Sequence, residues 1–296
     1  MKNDHRILLC SDLDRTLLPN GPQPESPEAR PLLRHLAERD ALSLVYVTGR
    51  DKGLIWEAIR DYDLPLPQRV VGDVGTTLYE VSSDKDGVHF TPSAEWEATI
   101  AEDWEGMEKA ELADLFTDLD GIRLQEPEKQ NRFKVSYYAD PDLDADRVME
   151  EMERRMRQRK IRSNLIWSID EEKSLGLLDV LPKRANKLRA IQFLMAQLGY
   201  GADQVVFAGD SGNDLTVLTS GLRSILVANA AADVRGSALA SLAEEGRTDR
   251  LYVARGGFLG MNGNYGAGVL EGLAHFEPRA RSWLAAALAK LGPPGA

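Results

Sequence analysis

Five continuous apolar runs of strand length constrain this chain more than anything else in it. They are RILLC (residues 6–10), LSLVYV (42–47), QVVFAG (204–209), SILVAN (224–229) and LYVA (251–254). A strand with one wet face alternates apolar and polar residues. These runs do not alternate, so they read as strands covered on both faces, as in a parallel sheet. Segments with helical spacing lie between them: PLLRHLAERD from Pro31, KGLIWEAIRDYDL from Lys52, and NKLRAIQFLMAQLG from Asn186. In the last, Leu188, Ile191, Leu194, Met195 and Leu198 fall on one stripe, with Gly201 beyond the end. Strand alternating with helix spells βαβ units, and so an α/β fold built on a parallel sheet.

The pattern changes between about residues 80 and 181. NRFKVSYYAD (131–140) alternates like a half-exposed strand, DLDADRVMEEMERRMRQRK (142–160) is a charged amphipathic helix, and RSNLIWSID (162–170) and SLGLLDVLP (174–182) read as two more strands, with a hairpin at WSIDEEKS. This is an α+β unit interrupting an α/β one. The expected division is a discontinuous core, 1–80 with 182–296, and an inserted cap, 81–181. At 296 residues and 43 % apolar composition, the chain is long for one simple core and has ample material for two.

A formal charge of −11 argues against a nucleic-acid face, which needs clustered Lys and Arg. The single cysteine, Cys10, excludes an internal disulfide and fits a reducing compartment. The first apolar run is too short and its flanks too charged for a signal peptide or a membrane span, so a cytoplasmic protein that binds no membrane is expected. RGGFLGMNGNYGAGVLEGLAHF (255–276) is glycine-rich and then helical, and reads as a helix packing on the sheet. RSWLAAALAKLGPPGA reads as an amphipathic tail helix with a frayed end.

Polar groups stand where the apolar runs stop. In SDLDRT, Asp12 and Asp14 follow the first run and fall at the carboxyl edge of the sheet, where open α/β sheets place their ligands. In VYVTGRD, Thr48, Gly49 and Arg50 follow the second, and a hydroxyl with free amides beside a glycine can hold phosphate oxygens. Lys187 opens a helix, an end the helix dipole does not favour for a cation, which points to a role beyond solvation. In VVFAGDSGND, Asp210 and Asp214 flank Asn213 in a glycine-rich turn whose oxygens suit a hard cation such as Mg²⁺. Each of the four could be turn chemistry alone, but four polar strand or helix ends in one chain argue for a site.

The order DxDxT, TGR, Lys, GDxxND resembles the haloacid dehalogenase (HAD) superfamily of aspartyl phosphatases, in the branch whose C2-type (IIB) cap is inserted between the second and third motifs. Within it the chain is most similar to sucrose-phosphate phosphatases, on GDVGTTLYE (72–80), FKVSYYAD, DVLPKRANK, GDSGND and LVANAA. Arg15 stands where the superfamily usually has Gly, and Arg184 and Leu188 replace small glycines near Lys187.

The resemblance implies a Rossmann-like core, a parallel sheet and a Mg²⁺-dependent phosphoric monoester hydrolase. Asp12 is then the nucleophile and Asp14 the general acid and base. Asp12, the main-chain carbonyl of Asp14, Asp210 and Asp214 hold the metal, and whether Asn213 or Asp214 makes the direct contact is left open. Thr48 and Gly49 bind the phosphoryl oxygens, Lys187 offsets charge, and Arg50 serves phosphate or sugar. In the cap, Lys134 and Ser136 share one face by the period of two, and with Asp179 they are candidates for sugar hydroxyls. The expected substrate is a disaccharide phosphate, sucrose 6-phosphate first. Alternatives are another glycosyl phosphate (mannosylfructose phosphate or a glycosyl-glycerate phosphate), a phosphosugar mutase, or a non-catalytic partner of a sugar-phosphate synthase, with which association is also conceivable for the enzyme.

Overall fold

A computed structural model describes residues 6–170 and 174–291. The tip of the hairpin expected at WSIDEEKS and the tail end expected to fray lie outside the described residues.

Twelve strands form two sheets among the described residues: β1 (Ile7–Ser11), β2 (Leu42–Val47), β3 (Arg69–Gly72), β4 (Thr77–Asp84), β5 (Gly87–Pro92), β6 (Ile122–Leu124), β7 (Val135–Ala139), β8 (Ser163–Asp170), β9 (Leu175–Pro182), β10 (Val205–Gly209), β11 (Arg223–Leu226) and β12 (Leu251–Val253). The larger sheet has the order β12-β11-β10-β1-β2-β3-β4-β5. Its strands from β12 to β3 are parallel, and β4 and β5 join antiparallel. The smaller sheet is antiparallel, in the order β6-β7-β9-β8.

Ten α-helices accompany them among the described residues: α1 (Ala29–Ala37), α2 (Lys52–Asp61), α3 (Ala94–Ala101), α4 (Lys109–Asp114), α5 (Ala145–Gln158), α6 (Lys187–Leu198), α7 (Leu215–Leu218), α8 (Ala232–Glu244), α9 (Gly266–Phe276) and α10 (Pro278–Leu291). α6 ends at Gly199, whose φ of 72° closes the helix before the glycine expected beyond it.

β1 and β10 are buried along their whole length, as their unbroken apolar sequence requires. Alternate side chains of β1 enter different cores. Ile7 and Leu9 join Leu32, Ile55, Leu270 and Leu284 from α1, α2, α9 and α10. Leu8 and Cys10 join Ile191 and Leu194 of α6, and that cluster runs on through Trp96 of α3 to Val135, Leu178 and Val180 of the small sheet.

The expected boundary at residue 80 falls inside β4. β4 pairs with β3 on one side and β5 on the other, so the large sheet keeps the chain until Pro92. The physical reason is pattern: β4 and β5 lie at the sheet's edge, alternate in burial and look in sequence like cap strands. β3 escaped notice because its apolar run is short, with only four residues between two neighbouring strands.

No helix among the described residues is long and apolar enough to cross a membrane.

Candidate active site

The strand order reverses around β1. From it the chain winds one way to β2 and β3 and returns on the other side as β10, β11 and β12. The crevice outside such a switch point is where open α/β sheets bind ligands. Asp12 follows β1, Thr48 follows β2 and Asp210 follows β10, so the sheet's parallel register delivers all three to one edge: Ser11 lies opposite Ala208 on one side and Tyr46 on the other.

Asp12, Asp210 and Asp214 are buried, and each offers one carboxylate oxygen within 4.8 Å of the others. Lys187 is only 3 % exposed and reaches them from the first turn of α6. That placement is set locally, because Asn186 caps the helix by accepting from the Arg189 amide at 3.0 Å. The Lys187 ammonium lies 3.1 Å from Asp12 Oδ2 and donates to Asp214 Oδ1 at 2.7 Å and Asn213 Oδ1 at 3.0 Å. All three of its hydrogens are therefore used.

Asp214 is held by its own turn. Its Oδ2 accepts from the Asp210 and Ser211 amides at 3.1 and 3.2 Å. Gly209 makes this possible, since a Cβ there would lie 2.5 Å from Asp214 Oδ2. The threonine that ends DxDxT is engaged as well, with Thr16 Oγ1 donating to Asp210 Oδ1 at 3.1 Å.

Burial pushes the Asp12 carboxyl up, Lys187 opposes that and Asp214 adds to it. Burial and the Asp214 charge push Asp210 up to about 6. For Lys187, burial disfavours the charge, but Asp12 and Asp214 more than offset it and the pKa rises. Lys187 meets two of the three carboxylates, and Asp210 has Thr16 and, 3.7 Å away at the rim, Arg15. An excess of hard oxygen donors packed this closely fits a divalent cation.

Asp14 does not join this cluster. Its carboxylate turns to Arg50, which donates from Nε and Nη2 at 2.8 and 2.7 Å, and to Asn20 Nδ2 at 2.7 Å. Burial raises this carboxyl, but the Arg50 and Asn20 hydrogen bonds outweigh burial and hold it below the usual carboxylate range. Thr48 Oγ1 accepts from the Arg50 amide at 3.2 Å, which leaves its O–H to donate, and Gly49 is exposed beside it.

The cap candidates separate. Lys134 lies 3.6 Å from Asp73 Oδ1. Ser136 and Asp179 are register partners in β7 and β9, and the Ser136 hydroxyl donates to the Asp179 carboxylate. Ser136 is buried and occupied, whereas Asp179 is partly open.

Sequence reasoning assigned no role to Thr16, Asn20, Asp73 or Asn229. Asn229 Nδ2 donates to Arg15 O at 2.7 Å and its Oδ1 accepts from the Tyr265 amide at 2.8 Å, so the glycine-rich segment before α9 is tied to the DxDxT turn. The legible signal for these residues was a short polar side chain inside a motif already noted, as in GDVGTTLYE and LVANAA.

The comparisons with known proteins agree with this geometry. The sequence profile of the sucrose-6F-phosphate phosphohydrolase family matches residues 5–277. A HAD-like hydrolase of Nitrosococcus oceani is 55 % identical over 279 residues, 94 % of this chain and 74 % of that protein. The mannosylfructose-phosphate phosphatase of Agrobacterium fabrum is 27 % identical over 91 % of this chain and 96 % of its own. The solved sucrose-phosphatase of Synechocystis sp. PCC6803, in complex with sucrose and phosphate, superposes with a TM-score of 0.66 at 25 % identity, covering 92 % of this chain and 98 % of that one. HAD fold, buried acidic cluster and a profile match spanning nearly the whole length make this chain a phosphoric monoester hydrolase, and it belongs to the sucrose-6F-phosphate phosphohydrolase family.

Proposed function

We propose that the protein hydrolyses a disaccharide phosphate, sucrose 6-phosphate first, with Mg²⁺ as cofactor. The observation that carries the chemistry is the buried set of Asp12, Asp210 and Asp214 around Lys187 at the switch point. What supports the sugar is the family match across residues 5–277.

Asp12 attacks phosphorus and becomes an aspartyl-phosphate, which divides one hard step into two easier ones. Lys187 favours the ionised form of the attacking carboxylate against the effect of burial and balances charge on the phosphoryl group. Thr48 and the Gly49 amide donate to phosphoryl oxygens. Asp14 gives a proton to the departing sugar oxygen and later takes one from the attacking water, which requires Arg50 to release it in the first step. Asp12, the Asp14 carbonyl, Asp210 and Asp214 would hold Mg²⁺, whose charge offsets the repulsion between a carboxylate and a phosphate dianion. Because phosphoryl transfer needs mainly positioning and charge balance, each donor contributes about 2–4 kcal/mol to the barrier reduction.

We assign substrate choice to the unit carrying the small sheet, 93–182, whose face opposite the helices presents Lys134 and Asp179. A second glycosyl phosphate, mannosylfructose phosphate, is favoured by the relative that matches over 96 % of its length. The deciding experiment is phosphate release with Mg²⁺ across sucrose 6-phosphate, mannosylfructose phosphate, a glycosyl-glycerate phosphate and simple hexose phosphates. A specificity constant for sucrose 6-phosphate at least ten times that of every other ester is expected. A higher constant for another ester would replace it as the substrate, and conversion without phosphate release would identify a mutase.

A further inference from the structure

The loop between β3 and β4 is strained in a way the phosphate chemistry does not use. Asp73 and Val74 have φ of 48° and 59°, and Gly75 follows at 104°. Consecutive left-handed residues are costly, and a β-branched valine there is an outlier, so the surrounding structure must hold them. It does. The Asp73 amide donates to Arg50 O at 2.9 Å and the Val74 amide to Thr48 O at 3.3 Å. Trp96 Nε1 donates to Gly75 O at 3.1 Å, and Asn131 Nδ2 reaches Thr76 Oγ1 at 2.8 Å.

The strain presents one carboxylate beside the TGR turn. Asp73 is 6 % exposed, yet poorly paired: Thr77 Oγ1 donates to Oδ2 at 3.3 Å and Lys134 Nζ lies 3.6 Å from Oδ1. Both contacts are long, and no other side chain among the described residues bonds either group. A carboxylate accepts about four hydrogen bonds and an ammonium donates three. Lys134 is only partly buried, so the pair keeps hydrogen-bonding capacity that a ligand hydroxyl can take over from water. Burial accordingly pushes the Asp73 carboxyl up, against the pull of Lys134.

We infer that Asp73 is a specificity residue, binding a hydroxyl of the sugar leaving group jointly with Lys134. The inference rests on the sugar-phosphate reading above. A hydroxyl donates one hydrogen and accepts others, so it is the ligand that a carboxylate and an ammonium side by side can both serve. Lys134 alone would attract a second phosphate; Asp73 repels one, and the pair as a whole suits a neutral polyol. Asp73 comes from the large sheet and Lys134 from the segment entering β7, so this subsite exists only where the two sheets' loops meet.

The experiment compares kcat/KM for sucrose 6-phosphate and for p-nitrophenyl phosphate, which has no sugar hydroxyl, in the wild type, Asp73→Asn, Lys134→Met and the double variant. Asparagine adopts left-handed φ readily, so the loop survives the change. The sugar-to-nitrophenyl ratio is expected to fall about 10- to 100-fold in Asp73→Asn, through KM. The double variant should fall less than the product of the singles, because the pair acts on one group. If Asp73→Asn proves too unstable to assay, the Lys134→Met ratio must fall on its own. An unchanged ratio, with or without a loss common to both esters, overturns the inference and leaves Asp73 a support for the phosphate loop. A wild type that hydrolyses p-nitrophenyl phosphate but no sugar phosphate refutes the functional reading, and this inference with it.

Discussion

Replacing Lys187 by methionine removes a charge from a buried ionic cluster while nearly preserving volume. The ammonium is 3 % exposed and sits 2.7 Å from Asp214 Oδ1 and 3.1 Å from Asp12 Oδ2. Deleting one partner of a buried pair leaves an uncompensated charge and costs about 3–5 kcal/mol. Here two carboxylates lose their cation, so the upper part of that range is expected at neutral pH, a fall in Tm on the order of 10 °C.

The pH dependence has a definite sign. The folded-state pKa of Lys187 is raised from 10.5, so its own contribution is fully present below that value and is lost only as pH rises through the folded pKa. The carboxylate side supplies the dependence near neutrality. The Asp12 pKa is raised from 3.8 by burial, so the folded state holds a proton that the unfolded state has given up, and stability falls as pH climbs from 3.8 through the folded value. Without Lys187 that window widens upward, since about 3–5 kcal/mol is equivalent to roughly two to four pH units of extra proton affinity. The deficit of the variant should therefore be smallest near pH 4, where Asp12 holds its proton in both proteins, and grow as pH rises to 8. Mg²⁺ should return part of the loss, about 2.7 kcal/mol at a hundred times its Kd. Urea unfolding from pH 4 to 9, with and without Mg²⁺, reads all three quantities. A destabilisation below about 1 kcal/mol that does not change with pH would refute the shared-cation reasoning.

Further expectations concern single contacts. Asp14→Asn should slow sucrose 6-phosphate about 10²-fold more than p-nitrophenyl phosphate, whose leaving group needs no proton, and leave a nitrophenolate burst followed by slow turnover in stopped flow; equal loss in steady state and no burst would remove Asp14 from the acid role. Chelation should stop phosphate release, Mg²⁺ should restore it and Ca²⁺ should inhibit, because a larger ion prefers more ligands at longer distances; full activity in excess chelator would mean that the acidic cluster holds no needed metal. In Gly75→Ala the new Cβ would meet the Asn186 backbone at 2.7 Å at a φ of 104°. A loss of about 1–3 kcal/mol, with a drop in kcat from displacement of the adjoining Lys187, should follow, and an unaltered Tm and kcat would show that the loop yields freely.

Asp12, Thr48 and Asp210 were legible for one physical reason. Each is the first residue beyond a strand whose largely apolar sequence marks it as buried on both faces, and a parallel sheet brings such ends together. Lys187 was legible through the Asn186 cap, which marks the turn where α6 begins. The orientation of Asp14 was not, because it depends on a guanidinium thirty-six residues away and on Asn20 returning through a loop with no periodicity. The fate of Ser136 was also hidden: a period of two gives the face, but only strand register gives the partner, and here register commits the hydroxyl to Asp179. Asp73 was the least visible of all, since nothing in the sequence marks the left-handed backbone that places it.

These failures share a location. The proposed chemistry of phosphate transfer stands on strand ends, where burial pattern dictates position. The selectivity proposed above would stand on loops whose geometry is dictated by contacts between the two sheets and the helices beside them: Asp73 with Lys134, Thr76 with Asn131, Gly75 with Trp96. A local pattern cannot encode a contact between elements far apart in the chain, so the proposed pairing of Lys134 with Asp73 is the part that had to wait for the fold. It is also the part free to change while the buried carboxylates and their lysine stay put, which is how one arrangement of strand ends can serve different phosphate esters.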